Sequence, residues 1–492
     1  MLTGWRLTLS KCFVIPQRYV LGLMGFLAVV NAYNMRVCLS VAITAMTTPI
    51  VKNATENMDS CPAPEGSHNS SSSGTMGTYN WDSGTQGIIL SAFFWGYVVT
   101  HMPGGILAEK FGGKHSLGLG IFGTAVFTLL TPIVVKYWDW QGLIVIRVLE
   151  GLGEGTTYPA LNAMLAQWVP SNERAKIGTL VYAGGQIGTV VGNAVSGALI
   201  DYTQSWESVF YLFGALGLLW YIIWSLICYS TPAEHPFISD NERTFLEKEI
   251  GANTGNKDNM NIPWKAILMS VPLWALVFAQ IGHDWGFFIM VTDLPIYMSE
   301  VLKFNIKDNG ILSSLPYIVM WIMSMLSAWL CDWLIDRNTV TVSFARKLFT
   351  TIASIGPAVF IIAASYAGCD KITVVALFCI GMGLMGTFYP GMKVNALDLS
   401  SNYAGTIMAI VNGIGAIAGI VTPILVGNIT QNHTVAEWQI VFWISFAVLV
   451  VTNIIFVIFA SADEQWWNKP QEERYMSENN KNKLNEITIT KS

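Results

Sequence analysis

Three ionisable residues recur at i, i+3 and i+7 in the run Arg147-Val-Leu-Glu150-Gly-Leu-Gly-Glu154-Gly-Thr-Thr-Tyr158-Pro159. On a helix that spacing puts all three on one face. A second cation stands in Asn31-Ala-Tyr-Asn34-Met-Arg36, with no acid on its own segment. With every group ionised, Arg36, Arg147, Glu150 and Glu154 sum to zero and can pair. Protonating one glutamate, or setting a metal cation beside it, leaves a net positive charge. That state attracts an anion, and a guanidinium fork suits carboxylate or phosphate oxygens. Such a set couples the entry of a cation to the entry of an anion. The alternative is a static network of buried ion pairs that fixes helix packing. Asn34 and Tyr158 are candidate substrate contacts, and Gly151, Gly153 and Gly155 allow a helix or a substrate to approach closely.

These charges matter because of where they sit. Of 492 residues, 52% are hydrophobic and 12% charged, against about 25% charged in soluble domains. The apolar residues come in blocks near the ~20 residues that cross a bilayer as helix. An ionisable group inside such a block is expensive and points to function. Spans are expected near 19–46, 84–107, 115–136, 141–166, 177–200 and 208–229, and again near 266–298, 310–331, 345–367, 372–392, 404–426 and 438–460. The chain therefore reads as an all-α polytopic membrane protein of twelve helices: an N-terminus (1–18), a six-helix half (19–229), a polar linker (230–263), a second half (264–460) and a tail (461–492) whose Asn, Lys and Glu content predicts disorder. The apolar patch before residue 18 is too short for a cleaved signal, so the first span should act as an uncleaved one.

Two independent signals set the orientation. Lys110, Lys114, Arg174, Lys176, Arg337, Arg346 and Lys347 follow even-numbered spans, which places those loops and both termini in the cytoplasm. The glycosylation sequons at Asn53, Asn69, Asn428 and Asn432 follow spans one and eleven, on the opposite side, where glycosylation occurs. Cys61 and Cys369 also fall in non-cytoplasmic loops and could pair there, although sequence does not bring the loops together. No cysteine pair has metal-ligand spacing, so no metal and no cofactor is expected beyond a sodium ion or proton as coupling ion. A net charge of −5 without a basic stripe speaks against nucleic acid. No nucleophile–base pair or nucleotide loop suggests an enzyme, and no signalling domain suggests a receptor. Rings of like charge expected of a selective channel are also missing.

The second half offers His283 and Asp284 near the middle of span seven as groups that titrate or hold a cation. Asp293 lies on the same span, and Pro295 after it predicts a bend. In span ten Asn395 is a candidate for the cavity, while Lys393 and Asp398 read as the cytoplasmic rim. The two halves also echo each other: Gly105-Ile-Leu-Ala-Glu109-Lys-Phe-Gly112-Gly-Lys114 follows span two, and Ser327-Ala-Trp-Leu-Cys-Asp332-Trp-Leu-Ile-Asp-Arg337 follows span eight. The first resembles the loop signature of the major facilitator superfamily, with Glu109 where Asp is usual. In that family the acid and base clip neighbouring helices in one conformational state.

From Tyr19 to Ala460 the chain resembles the sialin, vesicular glutamate and type I sodium–phosphate cotransporter family, and most of all its insect inorganic phosphate cotransporters. Its pieces are Arg36-Val-Cys-Leu-Ser-Val-Ala42, Phe94-Trp-Gly-Tyr-Val-Val-Thr-His-Met-Pro-Gly-Gly105, the Arg147–Pro159 run and Asp398-Leu-Ser-Ser-Asn-Tyr-Ala-Gly405. The resemblance implies a major facilitator fold and anion transport by alternating access. It gives anion binding to Arg36 and coupling to Arg147, Glu150 and Glu154. Vesicular glutamate carriers have His where this chain has Leu90 and Arg where it has His283; sialin has His where it has Asn162. Those departures disfavour vesicular glutamate loading and put sialin-type proton coupling in doubt. The expectation is a monomeric symporter that moves phosphate or a small organic anion with sodium or a proton. Its membrane would be the plasma membrane or that of a lysosome or vesicle. The alternatives are a proton-coupled exporter of acidic organic anions from lysosome or vesicle, and an uncoupled anion carrier.

Overall fold

The computed structural model describes residues 15–48, 61, 77–236, 238–254, 262–400 and 403–468. The side chains of 102, 105–107, 109–111, 171–172, 174–176 and 250–254 lie outside that description, as do the sequons at Asn53 and Asn69 and the tail beyond 468. Within it the protein is helical. The first half comprises α1 (Gln17–Met46), α2 (Ser83–Phe111), α3 (Gly113–Glu154), α4 (Thr157–Trp168), α5 (Ser171–Thr203) and α6 (Glu207–Ile227). After the linker helix α7 (Asp240–Thr254) come α8 (Val271–Phe288), α9 (Leu294–Glu300), α10 (Ile306–Asp336), α11 (Val342–Tyr366), α12 (Lys371–Met385), α13 (Val394–Leu399), α14 (Ala404–Gly415), α15 (Ala418–Ile429) and α16 (Val435–Phe459).

Among the described residues, nine stretches are long and apolar enough to cross a membrane. One of them, residues 113–168, is 56 residues long, nearly three bilayer crossings if it were straight. It is not straight. Asp139 leaves helical geometry with φ 50°, and its carboxylate accepts a 2.8 Å hydrogen bond from the Trp81 indole, so α3 goes across and returns. Helices α2 and α5 fall outside those nine yet pack into the same bundle. The expected count of twelve rests on these two as well.

The breaks follow from sequence chemistry. Span four, expected as one helix, divides at Gly155 and Thr156 behind the glycine run. Span seven carries a π-turn at Ile289–Asp293 just before Pro295, the bend that proline predicts, since it cannot donate to the preceding turn. Span ten breaks into a 3₁₀ turn at Gly386–Phe388 and a π-turn at Tyr389–Lys393 around Pro390.

The linker was expected as a polar stretch, but its charged run forms α7. Leu246 of this helix is fully buried. Glu242 accepts hydrogen bonds from the backbone N–H groups of Gln17 (2.9 Å) and Arg18 (3.2 Å). A carboxylate thus caps α1, where unsatisfied N–H groups and the helix dipole favour negative charge. Arg18 also pairs with Glu173 at 2.8 Å. His235 packs edge-on against Trp168 and Tyr229 and donates to the Ile227 carbonyl at 3.1 Å. Burial pushes its imidazole down to about 4, so it is neutral.

The halves meet tightly at the end that carries Cys61 and Cys369, which are disulfide-bonded with Cα atoms 5.4 Å apart. At that end a Cβ on Gly87 of α2 would lie 2.2 Å from the Pro423 carbonyl of α15, and one on Gly197 of α5 would lie 2.9 Å from the Gly310 Cα of α10. Ser314 of α10 donates to the Val190 carbonyl of α5 at 3.1 Å. Asn428 and Asn432 are exposed at this same end.

Candidate functional site

The glycines that precede the α3 break let its second leg touch α2. A Cβ on Gly151 would sit 1.9 Å from the Phe93 carbonyl. That approach brings the aromatic residues of α2 over the charges of α3 and α1. The Arg36 guanidinium lies 4.6 Å from the Phe93 ring centroid, 4.7 Å from Tyr33 and 5.0 Å from Tyr97. Cation–π contacts of this kind strengthen where water is excluded. Arg36 pairs with Glu154, and Arg147 pairs with Glu150 at 2.7 Å. The Arg147 guanidinium also donates to the Arg36 carbonyl at 3.1 Å and lies over Phe93 at 5.1 Å. Thr128 donates to Glu150 at 3.0 Å.

The four charges thus form one network rather than separate pockets. They are also more deeply enclosed than an open chamber would leave them: Arg36 is 7% exposed and Glu154 1%. Arg36 Nε and Glu154 Oε2 have no hydrogen-bond partner among the described residues, which leaves one donor and one acceptor of this pair available. The Tyr158 hydroxyl donates to that of Tyr33 at 3.1 Å, so Tyr158 joins the cluster through Tyr33. Asn34 does not; it packs against Gly192 of α5.

Beside this network stands a partly exposed polar wall of Tyr33, Tyr158, Tyr182, Asn162 and Tyr389. Gln186 of α5 donates to the Tyr389 hydroxyl at 2.6 Å and joins the two halves. Lys393, expected at the cytoplasmic rim, is drawn inward by the π-turn. Its ammonium donates to Asn412 at 2.5 Å, lies 5.9 Å from the Phe388 ring, and is within electrostatic reach of Asp284, His283 and His101. Asp284 accepts from Gln280 at 2.7 Å. His283 stacks on Phe388 with centroids 3.6 Å apart, and its Nδ1 has no partner among the described residues. Asn395 is not in this region; it donates to the Ser461 carbonyl at 3.0 Å.

The architecture and this intramembrane charge network can be set beside known proteins. Residues 24–423 match the family model of the Major Facilitator Superfamily. The chain belongs to that superfamily. It is therefore an integral, multi-pass membrane transporter and not an enzyme. It is 39% identical to a Drosophila ananassae protein named "Putative inorganic phosphate cotransporter", across 92% of this chain and 94% of that one. It is 41% identical to human sialin, across 92% and 90%, and 33% identical to bovine vesicular glutamate transporter 1, across 94% and 80%. In fold it is similar to a bacterial homolog of the human lysosomal transporter Spinster, inward-facing and occupied, with TM-score 0.67 and 13% identity across 89% and 96% of the two chains. It is likewise similar to a D-xylose–proton symporter, with TM-score 0.63 and 14% identity across 90% and 97%.

In this facilitator the repeated loop does not act alike in both halves. After α2, Gly112 takes φ 83°, and Lys114 donates to the Ser225 carbonyl at 3.0 Å and lies over Tyr229 at 4.0 Å, which ties α3 to α6. Gly105 and Glu109 lie on α2; the Glu109 side chain is outside the description. In the last turns and C-cap of α10, Asp332 and Arg337 are exposed, and Arg337 stacks on Trp333 at 4.5 Å. The ion pair there is instead Arg346–Asp398 at 2.7 Å, and Arg346 also donates to the Pro390 carbonyl at 2.8 Å. Sequence reasoning passed over Tyr33, Gln186 and Tyr389. A tyrosine on an apolar helix reads as an interface anchor, and only its hydroxyl partner across the bundle marks it as part of a site.

Proposed function

We propose that this facilitator is a cation-coupled carrier of a small anion, inorganic phosphate or a compact organic carboxylate, working by alternating access. The observation that carries this reading is the Arg36–Glu154 pair. A guanidinium held by one carboxylate becomes an anion receptor when that carboxylate is neutralised by a proton or a sodium ion. Lys393 in the second half offers a second cation toward the same polar wall. An anion between Arg36 and Lys393 would draw the halves together, as alternating access requires.

The relatives' names support the anion class, and phosphate is the substrate to test first. The disulfide end is the closed end in this conformation, and the sequons and positive loops support an orientation with that end outside the cytoplasm. With both termini cytoplasmic, the site would then open inward. The decisive experiment is uptake of radiolabelled phosphate, sialate and glutamate into proteoliposomes under sodium and proton gradients imposed separately. Accumulation of an anion against its gradient, driven by one of those cations, is the expected result. Equilibration without accumulation would instead establish an uncoupled carrier.

A further inference from the structure

Asp293 is a buried carboxylate, 1% exposed, which the Arg36 network does not use. It ends the π-turn between α8 and α9, and π-turns inside helices concentrate at functional positions. Among the described residues it accepts a hydrogen bond from the neighbouring Thr292 hydroxyl at 2.7 Å and enters no ion pair. A carboxylate in hydrocarbon without a cation must be neutral or be neutralised.

The surroundings of Asp293 supply a way to do this. It lines a small cavity between the halves, at the closed disulfide end, together with Ser83, Gln86 and Thr430. The cavity is about the size of one water molecule, and the wall has the polar partners a water needs. The Ser83 hydroxyl lies 3.5 Å from His433 Nε2, and His433 Nδ1 lies 2.5 Å from Glu300. The His433 and Glu300 side chains are 12% and 20% exposed, so this chain of groups begins at the surface that bears Asn428 and Asn432 and ends at the cavity. From α10 the Tyr317 hydroxyl, fully buried and without a hydrogen-bond partner among the described residues, is within electrostatic reach of Asp293. Lys303 acts in the same way on Glu300.

We infer that Asp293 is a proton-binding site at the gate between the halves, loaded from the disulfide face through Glu300, His433 and Ser83. A proton taken up by the Glu300–His433 pair passes to the Ser83 oxygen. Ser83 releases its own hydroxyl proton into the cavity, and Asp293 accepts it, so one charge arrives and no other bond changes. The proton lets the gate close, because Ser83 and Gln86 of the first half cover Asp293 in this closed arrangement. An ionised carboxylate there would be desolvated without compensation. Protonation from the outer face therefore favours the conformation open to the linker end. This rests on the coupled-carrier reading above and assigns to the proton a residue separate from Glu154.

The test uses the full chain with Asp293→Asn, which mimics the protonated acid, and Asp293→Glu, which restores a titrating group. In proteoliposomes with equal sodium on both sides, phosphate accumulation by the wild type should rise as the outer face is acidified. Asp293→Asn should lose that pH-driven accumulation by about tenfold, a usual size for coupling between sites, and Asp293→Glu should recover a pH dependence with a displaced midpoint. Accumulation by Asp293→Asn with the wild-type pH profile would overturn the assignment. Independently of any substrate, infrared absorption of protonated carboxyl groups in the purified protein should lose one titrating component in Asp293→Asn, and an unchanged titration would also overturn it. If the wild type moves no phosphate, the substrate reading fails and the infrared titration alone decides on Asp293.

Discussion

The two halves treat intramembrane charge differently. In the first half all four charges are spent in two ion pairs, Arg36–Glu154 and Arg147–Glu150, under the aromatic residues of α2. In the second half Lys393, Asp284 and Asp293 are each hydrogen-bonded to a neutral group, Asn412, Gln280 and Thr292. None of the three enters an ion pair among the described residues. Charge paired by direct contact holds a site in shape, while charge bonded only to neutral groups, with any opposite charge at a distance as Lys393 and Asp284 are to each other, is where an anion or a proton gains most by arriving. The difference assigns scaffold and receptor to the first half and responsiveness to the second.

The sharpest way to break this comparison is at Arg36. Arg36→Ala should abolish anion uptake and destabilise the purified protein by about 3–5 kcal/mol, because Glu154 is left buried without its partner. Adding Glu154→Ala should restore much of the thermal stability without restoring uptake. Recovery of uptake in the double variant would show the pair to be structural only. Next in size, Lys393→Gln should weaken anion affinity by about 10- to 100-fold, the worth of one charge-assisted hydrogen bond, with little loss of thermal stability. Saturation kinetics of uptake would check this, and an unchanged half-saturation concentration would remove Lys393 from the site.

The gate gives a smaller effect. Gly87→Ala places a methyl group against the Pro423 carbonyl, and overpacking of this kind costs about 1–3 kcal/mol. The closed disulfide end should lose population, seen as increased labelling of cysteines introduced along α2 near that end. The least effect is expected at His235, outside the spans. Its imidazole is held at about 4 by burial, below the ordinary value near 6.5. The unfolded chain therefore takes up the proton first, and the linker's packing should weaken as pH falls from about 6.5 toward 4. His235→Asn should flatten that part of the thermal-stability profile.

Much of the fold was readable because bilayer physics leaves few choices. Apolar blocks near Tyr19, Gly84 and Ile177 could satisfy their backbone only as helices, and Pro295 announced a bend. The span-four face was equally plain, since Arg147, Glu150 and Glu154 share a helical phase. Other features depended on partners distant in sequence. Lys393 read as a rim residue because a proline and a π-turn, and not its distance from the span end, decide which way it turns. Asn34 and Asn395 read as cavity residues on composition alone, and the packing of Gly192 and Ser461 against them removes them from the cluster.

The sequence by itself determined that the chain crosses a membrane repeatedly, that charge is buried along the way, and which charges share a helix face. These are local properties of hydropathy and period. Tertiary structure decided which acid meets which base, that Cys61 joins Cys369, that a linker carboxylate caps α1, and that Asp293 faces Ser83 across the closed gate. Each of those contacts joins residues far apart in the chain, and only the packing of one helix against another fixes their distance.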